Sequence, residues 1–99
     1  METALTHETF SKLLNTSFAI LNAENGVKLE LIEVSELIIS PRQERFSLVF
    51  RGPKEVFLGQ GMRRLKHPQM GEFDLFLVPI GENAQGYSYE VVFNRLVGN

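Results

Sequence analysis

The amino-acid sequence predicts a mainly β fold: a small antiparallel β-barrel or sandwich of about six strands with one short N-terminal helix. Three observations predict it. Short apolar runs recur between Gly, Pro and Asn turn signals, without the alternation of strand and helix patterns that builds parallel βαβ units. Residues 72–95 hold two apolar runs around a polar, glycine-bearing connector, Glu82-Asn-Ala-Gln-Gly86, which reads as a β-hairpin with a loop longer than two residues. Helical spacing of apolar residues is seen near the N-terminus, at Phe10, Leu13 and Leu14.

That helix should run from Thr6 to about Asn15. Thr6 is a good N-cap, Glu8 puts negative charge in the first turn, and Leu5 and Phe10 stand at the two positions of a hydrophobic staple. Asn15 suits a left-handed C-terminal residue. So short a helix is marginal alone, and its expected role is to plug an open end of the sheet; docking on another protein is the alternative. Residues 17–21 form a short strand, and Asn25-Gly26 is a strong two-residue turn signal. Residues 27–37 form a longer strand in which the apolar phase moves from Val27, Leu29 and Leu31 to Ile32 and Val34. Such a shift marks a β-bulge or bend.

Ile38-Ile39 is apolar, but residues 40–44 read as loop. Residues 45–51 alternate, with Phe46, Leu48 and Phe50 inward. Gly52-Pro53-Lys54 is a turn, Val56-Phe57-Leu58 a brief strand, and Gly59-Gln60-Gly61 a joint or bulge. Residues 62–65 form a further strand, and residues 67–71 turn the chain into the hairpin. In its first arm, Phe73, Leu75 and Leu77 fall on one face and Phe76, Val78 and Ile80 on the other, which predicts a strand covered on both faces. Pro79 belongs where its missing N–H faces no partner. In the second arm, Tyr87, Tyr89, Val91 and Phe93 face inward and Ser88, Glu90, Val92 and Asn94 outward.

The 99 residues suit a single domain spanning 1–99, with eight Phe and two Tyr to build its core. The lack of Cys excludes disulfide scaffolds, thiolate metal sites and cysteine nucleophiles. A formal charge of −2, from ten basic and twelve acidic residues, gives no reason to expect a nucleic-acid partner. The N-terminus lacks a basic region followed by an apolar one, and no apolar run approaches the roughly 20 residues that span a bilayer. No membrane association and a cytoplasmic location are therefore expected.

No catalytic constellation emerges, and no cofactor or metal is expected. His7 reads as a solvated residue of the first helical turn. His67 precedes Pro68 with Glu72 and Asp74 nearby; a turn histidine bonded to backbone fits better than a metal ligand, because no His-x-x-x-His or dense acid cluster accompanies it. Arg63, Arg64 and Lys66 form a local basic spot that reads as a solvated strand face. Gly59-Gln60-Gly61 fits a bulge better than a binding loop; the alternative is that Gln60, between two glycines, is presented for recognition. Arg51 and Arg95 each close an aromatic-rich strand. They either pair structurally with acids such as Glu90 or Asp74, or converge on one mouth with Tyr87 or Tyr89 as a ligand or partner site.

The strings Phe46-Ser-Leu-Val-Phe-Arg-Gly-Pro53, Leu58-Gly-Gln-Gly61, Gly71-Glu-Phe-Asp-Leu-Phe-Leu-Val-Pro79 and Tyr89-Glu-Val-Val-Phe-Asn-Arg95, with Phe10-Ser-Lys-Leu-Leu-Asn-Thr-Ser-Phe18, carry a resemblance. Over nearly the whole chain the sequence resembles a bacterial family of small uncharacterised domains of about 100 residues. The resemblance implies no activity and transfers no catalytic residues. Some members look to be encoded near phage-tail-collar-like or tail-fibre-like proteins, which implies an accessory or assembly role.

The reading that follows is a non-enzymatic protein-interaction or accessory domain, assisting a phage-tail-like or surface assembly. Its candidate contacts are Arg51, Gln60, Arg63, Tyr87 and Arg95, together with the hairpin tip. The alternative is a small-molecule-binding β-barrel with Arg51, Arg95 and a tyrosine at its mouth. A homodimer through an edge strand is a further expectation, since a small sheet must protect its edges.

Overall fold

The computed structural model describes residues 5–21 and 26–96. Helix α1 (His7–Lys12) precedes β1 (Ser17–Ile20), β2 (Lys28–Val34), β3 (Ile38–Ser40), β4 (Gln43–Gly52), β5 (Gly61–His67), β6 (Gly71–Asn83) and β7 (Gly86–Leu96). Every strand pairing is antiparallel. The order is β2-β1-β5-β6-β7-β4-β3, and β2 also pairs with β4. Six strands therefore close into a ring, while β3 hangs on β4 beside the seam. The expected mainly β fold with one N-terminal helix is found, in its barrel form.

Local chemistry explains the elements. Thr6 is the N-cap: its backbone is extended and its Oγ1 accepts the Thr9 N–H at 3.1 Å. Asn15 takes the expected left-handed conformation, φ 69°. The helix is shorter than expected, ending at Lys12 with Leu13 as its cap. On β2 the register against β4 slips between Leu31 and Glu33, where the apolar phase changes. On β6 it slips between Pro79 and Gly81, which accommodates the missing proline N–H.

The barrel interior is filled by side chains. Phe18, Leu29, Leu31, Leu48, Phe50, Leu65, Leu77 and Tyr89 are fully buried there. Helix α1 plugs one end through Phe10, whose ring lies 5.6–6.3 Å from Phe93, Phe73 and Phe18 on three strands. Full burial of such a side chain stabilises by about 1.5–3 kcal/mol over leaving it exposed. Two ring-filling contacts are polar. The Tyr89 hydroxyl accepts the Leu58 N–H at 2.9 Å, and burial pushes its pKa up. His67 is buried against Phe18, ring centroids 4.6 Å apart.

Several expectations are corrected. The hairpin connector is a two-residue turn, because the ladder continues to Asn83 opposite Gly86 and the Asn83 Oδ1 accepts the Gln85 N–H at 2.8 Å. β6 is covered on one face, not both: Phe73, Leu75 and Leu77 are buried, while Phe76 and Ile80 are exposed. A closed ring has only solvent outside it. Val56-Phe57-Leu58 forms no strand; Leu58 is tied to Tyr89 instead. Residues 38–40, read partly as loop, form β3. His7 is half-buried, its Nε2 donating to the Ser35 carbonyl at 2.8 Å and its ring edge-on to Phe46. The turn expected over residues 22–26 falls mostly outside the described residues.

Candidate functional site

Side chains of an antiparallel barrel alternate between interior and outside, so register sorts the outer face. Met62 on β5 stands opposite Phe76 on β6, and Val92 on β7 opposite Ser47 on β4. Val78 on β6 stands opposite Glu90 on β7, where the β6–β7 ladder ends. Two outer pairs result: Met62 with Phe76 across β5 and β6, and Val92 with Ser47 across β7 and β4. Arg64 and Asp74 stand beside the first pair; Asn94 and Arg45 stand on one side of the second, and Glu90 and Val49 on the other.

These apolar side chains are open: Met62 and Val92 are each 62% exposed and Phe76 45%. Beside Val92 a groove of about 310 Å³ is lined by Ile38, Arg45, Ser47 and Glu90, among others. Large apolar groups exposed on neighbouring strands are the kind of surface that marks an interaction site.

The charges beside these side chains differ in their partners. The Arg64 guanidinium meets Asp74 at 3.1 Å and Glu72 at 3.3 Å, and the hydrogen bond to Glu72 followed by the Asp74 charge raises its pKa. Arg45 and Glu90 make no ion pair among the described residues. Arg45 is four residues along β4 from Val49, the neighbour of Glu90, about 13 Å away. They flank Val92 with opposite signs.

The residues singled out from sequence are dispersed. Arg51 donates to Glu30 and to Gln85, both at 2.8 Å. Arg95 donates to the Leu5 carbonyl, pairs with Glu44 at 3.3 Å and lies over the Phe46 and Phe93 rings. Both arginines are therefore engaged within the fold, by other acids than Glu90 or Asp74, although the buried Arg95 Nε–H makes no hydrogen bond among the described residues. They do not share a mouth: Arg95 is level with Glu44 and Arg51 with Ser88, seven residues of β4 apart, about 23 Å. Tyr87 is half-buried with its ring against Phe57, and Gln60 is exposed.

The basic spot is divided by the strand's alternation. Arg64 and Lys66 face out, whereas Arg63 lies on the inward side with Leu65 and donates to the Gly59 carbonyl at 3.0 Å. His67 also faces in, on the opposite side of the sheet from Glu72 and Asp74. Its Nδ1 accepts the Gln69 N–H at 3.0 Å, so the proton sits on Nε2 and is donated to Thr16 Oγ1, whose own hydroxyl donates to the Leu13 carbonyl. Both ring nitrogens are occupied.

A cleft of about 540 Å³ lies beside Arg51, lined also by Lys28, Glu30, Pro53, Glu55 and Val56. The outer trio Met62, Phe76 and Val92 was not singled out from sequence. Its sequence signal is the second apolar face of residues 76–80, which by pattern alone matches a covered face.

Among the described residues, no helix is long and apolar enough to cross a membrane. A family model for a domain of unknown function, DUF6916, matches residues 5–93. No curated protein and no solved structure matches the chain.

Proposed function

Since the chain belongs to the DUF6916 family, a domain of unknown function, we propose from its geometry that it is a non-enzymatic protein-interaction domain. It docks through the outer face of β5, β6 and β7. The observation that carries this reading is the exposed trio Met62, Phe76 and Val92 outside a ring whose interior is already filled. Burial of that trio and ion pairing at its flanks is what such a face offers a partner. Gln60 and the hairpin tip are exposed and serve as secondary contacts. Arg63 and Arg95 contribute through the backbone carbonyls they hold, and Arg51 and Tyr87 through the side chains they engage.

The resemblance to bacterial domains with tail-like neighbours supports an accessory role in such an assembly, with the chain acting in the cytoplasm. For a small-molecule reading, the supporting observation is the cleft beside Arg51. Against it, the Arg51 guanidinium is already engaged by Glu30 and Gln85.

Affinity capture from native extract with the wild-type chain, Phe76→Glu and Val92→Glu tests the proposal. A reproducible protein captured by the wild type and lost with both folded variants is expected. Equal capture by all three would remove the outer face from consideration.

A further inference from the structure

On the other side of β5 the outer face of the ring is hollowed rather than apolar. β1 sends two small side chains outward, Ser17 and Ala19. Longer ones stand on both sides: Lys28 and Glu30 on β2, Lys66 on β5, and Pro68 just beyond it. Lys28 and Lys66 are both opposite Ala19, so they stand level across β1. Two strand spacings, about 10 Å, separate their backbones. The result is a trough of about 430 Å³ lined by Ser17, Ala19, Lys28, Lys66 and Pro68.

Neither lysine has an ion-pair partner among the described residues. The acids beside them are engaged elsewhere. Glu30, two residues along β2 from Lys28, is held by Arg51 at 2.8 Å. Glu72, opposite Lys66 in the β5–β6 register, is held by Arg64 at 3.3 Å. Glu55 lines the adjoining cleft with Lys28 but makes no ion pair with it. Two uncompensated positive charges therefore face each other over a small-residue floor, in a chain whose formal charge is −2.

We infer that this trough takes an extended acidic segment of a partner protein, in which two successive carboxylate side chains meet Lys28 and Lys66. The charge of the walls selects the sign of the occupant. An extended chain lying edge-on along β1 points successive side chains to opposite walls. Because Lys28 and Lys66 are level, neighbouring residues of the segment meet one lysine each. The lysine stems and Pro68 give the walls an apolar body with ammonium groups at the rim, which suits the aliphatic stem and charged tip of glutamate. Ser17 and Ala19 leave room for the segment's backbone. This face is separate from the Phe76 and Val92 surface, and the inference does not rest on it.

The test is an NMR titration of the ¹⁵N-labelled chain with hexaglutamate, with hexaglutamine as the uncharged control. Shifts should concentrate at the amides of Ser17, Ala19, Lys28 and Lys66, and binding should weaken as salt is raised. Lys28→Glu and Lys66→Glu should each weaken binding about five- to tenfold, while Lys54→Glu, the same charge change at an exposed lysine outside the trough, should weaken it less than about twofold. Ala19→Leu changes no charge but fills the floor, and should weaken binding at least about fivefold. The spectrum of each variant shows directly that it is folded.

An absence of shifts at the trough with millimolar hexaglutamate overturns the inference. So does a loss with Lys54→Glu as large as with Lys28→Glu, which would make the effect one of bulk charge, or an Ala19→Leu chain that binds like the wild type. Inorganic phosphate that saturates the same amides more tightly than the peptide would show a small-anion site and overturns it too. None of these variants touches Phe76 or Val92, so failure here leaves the docking-face reading standing.

Discussion

His67 Nε2 lies 3.0 Å from Thr16 Oγ1, a contact between residues 51 positions apart that ties the end of the helical segment to the β5–β6 turn. It is a neutral-histidine contact, because Nδ1 accepts the Gln69 N–H and has no room for a second proton.

Burial lowers the His67 pKa below its ordinary value of about 6.5. A histidine with a lowered folded pKa binds its proton more readily in the unfolded chain. Its contribution to stability is therefore complete above about pH 6.5, falls as the pH drops below that value, and levels off once the folded pKa is passed. Urea midpoints of the wild type and His67→Gln between about pH 8 and about pH 5 should converge as the pH falls. Parallel curves would show that His67 does not titrate in this window. At neutral pH, His67→Ala should cost about 2–4 kcal/mol, since it leaves a void and an unpartnered Gln69 N–H.

Tyr89→Phe keeps the ring and removes the hydroxyl that accepts the Leu58 N–H. The expected loss is about 1–2 kcal/mol, the cost of a buried donor left without a partner. Equilibrium denaturation measures it, and hydrogen exchange at Leu58 should quicken more than at β4 amides.

Gly86 has φ 138°, and a Cβ there would lie 1.9 Å from the Gly52 carbonyl oxygen. Gly86→Ala must move backbone on β4 or β7, so a loss above about 2 kcal/mol is expected by thermal melting. Gly81→Ala, in open space on the same hairpin, should change stability by less than about 1 kcal/mol.

The Arg51–Glu30 pair is about one-third exposed on each side, so solvent screens it. Arg51→Ala should cost less than about 1 kcal/mol, and the cost should shrink further in high salt. A larger, salt-independent loss would mean that the hydrogen bond to Gln85 anchors the hairpin tip.

Much of the architecture was legible because its causes are local. The Thr6 cap, the left-handed Asn15, the bulge in β2 and the inward faces of β4 and β7 each depend on neighbours within a few residues. What misled was distance along the chain. Residues 73–80 are apolar on both sides, and the choice between a covered and a bare second face depends on whether another layer packs there. Closure of β2 on β4 decides that, and no local pattern announces it. Arg51 finds Glu30 and Gln85, and His67 finds Thr16, for the same reason: topology chooses among acceptors that sequence leaves equivalent.

The position of β7 between β4 and β6 has a consequence in time. Both neighbours leave the ribosome before it, and each has one long edge that only β7 can satisfy. Until residues 86–96 emerge, the nascent chain holds two unpaired edges, an uncovered Phe10 contact surface and the exposed Phe76 simultaneously. A pause in translation before Gly86 would therefore expose more adhesive surface than the finished protein ever does, and it is in that interval that the chain has most need of a chaperone.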